Sequence, residues 1–99
     1  MRRLRAYEDA MFVRLFRLWA VGREEQRSVI PVMHEEACKL GYKESAALAC
    51  ASLFELVEGR MGRKLIPEDG SSPKFSEDER GLIDLVRTAP SLMEEEGMR

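Results

Sequence analysis

An all-α fold is predicted by three features of the chain. Apolar residues recur at three- and four-residue spacing over long stretches, no stretch has the alternation of a half-buried strand, and glycine and proline mostly fall where the periodic stretches end. Glu44 to Gly62 is the most telling stretch. Ala46, Ala47, Cys50, Leu53, Phe54, Val57 and Met61 make one face, and Leu48, Ala49 and Leu56 lie outside its centre. A helix apolar over so wide an arc is contacted from more than one side. It is therefore expected to be the central helix of a small four-helix, bundle-like domain spanning residues 1–99.

The first helix is predicted from about Arg3 to Val21, closed by Gly22 in the left-handed conformation that ends many helices. Leu4, Tyr7, Met11, Leu15 and Leu18 form one stripe, and Phe12, Phe16 and Trp19 form a second beside it. Arg3, Arg14 and Arg17 share the opposite face. The second helical region, Arg23 to Leu40, contains Pro31, which is tolerated in a first turn but not deep inside a helix. Either a separate turn precedes a helix capped by Ser28, or one helix kinks at Pro31. Gly41 ends it, and the short link Gly41-Tyr42-Lys43 makes helices two and three neighbours. After the third helix, Pro67, Gly70 and Pro73 make 63–75 a long loop, with Leu65 and Ile66 tying its start to the core. Ser76 followed by Glu79 is a capping box opening the fourth helix, whose apolar face is Leu82, Ile83, Leu85, Val86 and Ala89 and which Pro90 stops. Residues 91–99 read as a short acidic fifth helix or a frayed tail.

Composition narrows the classes of function. Of the 99 residues, 44% are hydrophobic and 34% charged, as in ordinary globular domains. Two cysteines are too few for a disulfide scaffold, and no apolar run reaches membrane-spanning length. A cytoplasmic protein, not bound to membrane, is the expectation. Charge is graded along the chain. Residues 1–27 hold seven arginines against four acids, and residues 65–99 hold nine acids against four basic groups. Because the arginines alternate with large apolar residues, the gradient reads as mutual neutralisation before it reads as a nucleic-acid patch.

Three constellations bear on chemistry. His34 and Cys38 lie four residues apart on one helix face, and an antiparallel hairpin about Gly41 puts Cys50 at the level of His34. The three form a candidate metal or thiol site, with water or Glu35 in the fourth position; its competitor is two buried cysteines acting as small apolar residues. Ala37 and Gly41 have the spacing of the first helix and turn of a helix-turn-helix, and residues 33–52 resemble that general motif. The resemblance implies DNA binding with Lys43 and Ser45 at the start of the reading helix. Ala46, Ala47, Leu48 and Ala49, which follow, are poor base readers, and Glu35, Glu36 and Glu44 repel phosphate. Third, Phe12, Phe16 and Trp19 exceed what sealing one core requires; either they form a homodimer interface, or the long loop covers them within one chain through Leu65, Ile66 and Phe75.

The reading that results is a small non-catalytic, regulatory or adaptor-like module without a cofactor, acting through self-association or a protein partner. A DNA-binding regulator is the alternative, and a metal or thiol site at His34, Cys38 and Cys50 the third choice.

Overall fold

The computed structural model describes the backbone of residues 2–43 and 45–88, with side chains for 8–43 and 45–87. It is all-helical, with four helices and no strand among the described residues: α1 (Arg2–Glu24), α2 (Ile30–Lys39), α3 (Ala46–Met61) and α4 (Glu77–Thr88). Residues 91–99, read as helix or tail, lie outside the described residues.

The helix ends follow from backbone hydrogen bonding more than from side-chain caps. α1 runs through Gly22, which therefore does not stop it. Its end is a left-handed Gln26 at φ 56°, with Gln26 N–H bonded to Arg23 O (3.1 Å) and Arg27 N–H to Gly22 O (2.9 Å). That pair of bonds is the Schellman arrangement. α2 ends the same way on Gly41 at φ 89°, with Gly41 N–H to Cys38 O (3.1 Å) and Tyr42 N–H to Ala37 O (2.9 Å). Gly22 is needed for a different reason: a Cβ there would lie 2.5 Å from Val29 Cβ, so the glycine lets the α1–α2 connection turn back against its own helix.

Pro31 does not kink a longer helix. It sits in the first turn of a separate α2, where its missing N–H costs nothing. Val29, not Ser28, occupies the cap position, and no side chain caps it. α3 closes on Gly62 at φ 71°, whose N–H reaches Glu58 O at 2.9 Å. At α4 the capping box forms as expected: Glu79 N–H donates to Ser76 Oγ (3.1 Å) and Ser76 N–H to Glu79 Oε1 (2.9 Å).

The core gathers Leu15, Phe16, Trp19 and Ala20 of α1 with Met33 and Ala37 of α2, and Ala47, Cys50, Ala51 and Phe54 of α3; Leu65 and Leu82 close it from the loop and α4. Phe54 is at its centre, its ring 5.2 Å from that of Phe16, 5.4 Å from Trp19 and 5.5 Å from Phe12. The central helix is nonetheless α1, not α3. α1 packs substantially against each of the other three helices, whereas α3 packs chiefly on α1 and α2. Around α1 even an arginine is buried.

That arginine organises the long loop. Arg17 leaves α1 beneath 66–76 and donates to the carbonyls of Gly70 (3.3 Å), Ser72 (2.9 Å) and Lys74 (2.7 Å). Its Nε and Nη2 also form a two-point pair with Glu79, at 2.8 and 3.0 Å. Glu79, fully buried, also accepts from Glu68 N–H at 3.1 Å. A loop with few repeating hydrogen bonds thus finds donors for three of its carbonyls in one side chain. Arg63 adds a two-point pair to Asp78, which also accepts Ile66 N–H at 2.7 Å.

Candidate interaction surfaces

Packing α1 at the centre removes the expected dimer seam. Phe16 and Trp19 are buried within one chain and Phe12 is half-buried, all three rings meeting Phe54. The indole of Trp19 is further covered by the Arg23 guanidinium, 4.7 Å from the ring centroid and paired with Glu58. A second aromatic stripe on α1 is surplus only where one core-facing stripe per helix suffices. A helix surrounded on three sides needs two.

Among the described residues, an apolar flank without a covering neighbour lies on α3 instead. Its inner face, Ala47, Cys50, Ala51 and Phe54, is buried. Its outer flank carries Leu48 and Leu56, 61% and 58% exposed, with Ser52 midway and Ala49 and Glu55 beside them. Two exposed leucines two turns apart on one flank stand apart from singly scattered apolar residues. A second apolar surface is a groove of about 510 Å³ where the end of α3 meets α4. Val57, Met61, Leu65, Leu82 and Leu85 form its walls, and Glu77 lies on its rim. Comparison with known proteins adds nothing to these surfaces: no family model, no curated protein and no solved structure matches this chain.

The candidate metal triad is divided. His34 and Cys38 stand together on the exposed side of α2, with Cys38 Sγ 3.6 Å from His34 Nε2. Cys50 is buried on the inner face of α3, where burial pushes its thiol up to about 11. Sequence reasoning matched Cys50 to His34 by level along the hairpin, but level says nothing about which way a side chain turns. Among the described residues no three His, Cys, Asp or Glu side chains gather at a metal-binding spacing.

The helix-turn-helix candidates are placed as follows. Ala37 is buried on α2 and Gly41 is left-handed at its end. Lys43 and Ser45 are exposed at the turn before α3. The flank of α3 that follows them presents Leu48, Ala49, Ser52, Glu55 and Leu56, a set without the amide or guanidinium groups that read base edges. Among the described residues, no helix is long and apolar enough to cross a membrane.

The residues that sequence reasoning missed are Arg17 and Glu58. Glu58 accepts Leu65 N–H at 2.7 Å and pairs with Arg23, fixing the start of the loop as Arg17 and Glu79 fix its end. Neither carries a motif. The available signal was the loop itself, whose backbone groups had to be satisfied by something.

Proposed function

We propose that this chain is a non-catalytic protein-interaction module that self-associates through the outer flank of α3. One observation carries the reading: Leu48 and Leu56 are exposed on the same flank of a helix whose opposite face is fully engaged in the core. A two-fold contact uses one patch twice. The flank suits that arrangement, because two antiparallel copies of α3 crossing at Ser52 set Leu48 of each against Leu56 of the other. The helix is about 24 Å long and a packed neighbour covers a strip about 10 Å wide. This is well short of the ~800 Å² per partner of a standard interface. The association is accordingly weak and concentration-dependent.

Sedimentation equilibrium from micromolar to millimolar concentration tests it. The average mass is expected to rise above 11.4 kDa with concentration, and Leu48→Glu or Leu56→Glu is expected to abolish the rise while preserving helix content. A mass fixed at the monomer value throughout defeats the reading.

A second reading, binding to duplex DNA, draws support from the buried Ala37 and the left-handed Gly41, which hold the first-helix and turn positions of that motif. It requires an affinity that falls steeply with salt and weakens on Lys43→Ala. Affinity indifferent to both rejects it.

A further inference from the structure

The His34–Cys38 pair is left unused by the interaction reading, and its geometry is specific. Met33 and Ala37 bury the inner face of α2, which leaves His34 and Cys38, each one residue on, at the surface. Four residues apart, they stand one turn above the other. The Sγ–Nε2 separation is 3.6 Å, within hydrogen-bonding reach. A tetrahedral zinc ion with a Zn–S bond of ~2.3 Å and a Zn–N bond of ~2.0–2.1 Å holds those two atoms about 3.5–3.6 Å apart. The two atoms share a hydrogen bond at that separation, so once its proton is lost they stand at the spacing the ion requires, on a helix anchored from its other side. A mixed imidazole and thiolate set selects zinc-class ions over magnesium or calcium, which take oxygen.

The geometry points to a two-point surface site for a zinc-class ion formed by His34 Nε2 and Cys38 Sγ. On binding, the Cys38 S–H bond is replaced by a sulfur–metal bond and its proton passes to solvent, while His34 keeps its ring proton on Nδ1 and coordinates through the Nε2 lone pair. The remaining positions belong to solvent or to another chain, because no third protein ligand gathers there among the described residues. Cys50, on the inner face of α3, takes no part.

Cobalt(II), which replaces zinc and is coloured in tetrahedral sulfur-containing sites, is the probe. Titrated into the reduced full-length chain, it is expected to produce a sulfur-to-cobalt charge-transfer band, release about one proton per ion bound, and lose the band when zinc is added. The band is expected to vanish in Cys38→Ser and in His34→Ala and to persist in Cys50→Ser, with circular dichroism unchanged in all three. A band that needs both surface residues supports the site at any ratio of metal to chain. No band, a band indifferent to His34→Ala, or one lost only in Cys50→Ser overturns it.

Discussion

Helices α1 and α3 are alike in sequence character and opposite in situation. Each is apolar around roughly half its circumference or more, and each invites contact from several sides. α1 receives it: α2 and α3 take its aromatic side, α4 packs alongside, and the loop descends on the face that carries Arg17. Among the described residues, α3 receives it on the inner side only, and Leu48 and Leu56 are exposed. A wide apolar arc thus signals that a helix has several neighbours without saying whether they belong to the same chain. The polar residues separate the two cases better. The opposite face of α1 holds an arginine with many donors to give, whereas the outer flank of α3 holds leucine, alanine and serine beside the carboxylate of Glu55, and so no cation to offer the carbonyls of a folding loop.

The two helices share one seam, centred on Phe54. Phe54→Ala removes the ring that Phe12, Phe16 and Trp19 all touch, and is expected to cost ~3–5 kcal/mol in urea denaturation with an unchanged slope. A cost below ~1 kcal/mol would show that α1 and α3 do not meet through these rings.

The loop side of α1 is tested next. Arg17→Met leaves the Glu79 carboxylate buried without its cation and deprives three carbonyls of a donor, for an expected loss of about 3 kcal/mol. The pair also shapes the response to acid. Burial alone raises the Glu79 carboxyl, but hydrogen bonds from Arg17, Ser76 N–H and Glu68 N–H outweigh it and hold the group below its ordinary value. A depressed carboxyl stabilises the fold above its unfolded pKa of about 4.3, and that contribution fades as pH falls through the lower folded value. The same sign holds for Asp78, lowered chiefly by its bond from Arg63. Stability is expected to decline below about pH 4, and less steeply in Glu79→Gln than in the parent chain. An identical acid slope would remove Glu79 from the account.

Gly22→Ala probes the turn from α1 into α2. The added methyl meets Val29, and a loss of about 1–3 kcal/mol is expected, as for overpacking elsewhere. In the sequence Gly22 has the look of a helix stop, yet α1 runs through it to Glu24. Sequence patterns register that a glycine is present but not whether the backbone or a neighbouring side chain demands it. The true stop, Gln26, is a residue type that no cap rule favours. The capping box of Ser76 and Glu79, by contrast, was legible in full, because all its partners lie within four residues. The same locality sorts the rest. Four helices and the burial of Phe54 follow from periodicity. Arg17 under a loop more than fifty residues away, Phe16 enclosed within one chain, and His34 parted from Cys50 depend on how helices face one another, which periodicity does not contain.

The outer flank of α3 sets the small end of the scale. Leu48→Glu and Leu56→Glu should each shift stability by less than ~0.5 kcal/mol, in contrast to Phe54→Ala on the inner face of the same helix. A large loss from either would mean the flank is covered within the chain. Thiol labelling draws the contrast on another pair: Cys38 should react promptly in native buffer, and Cys50 only at the rate at which the protein opens. Equal rates would contradict the burial of α3's inner face.

The clamp beneath the long loop has a consequence for how the molecule opens. Glu68 and Ser76 amides, the Ser72 and Lys74 carbonyls and the first turn of α4 all converge on one guanidinium–carboxylate pair. None of these bonds can be released in sequence from one end, as fraying helices release theirs. Protection against hydrogen exchange along 68–79 should therefore be lost in a single step shared by loop and helix, so that a segment without regular structure exchanges as one cooperative unit.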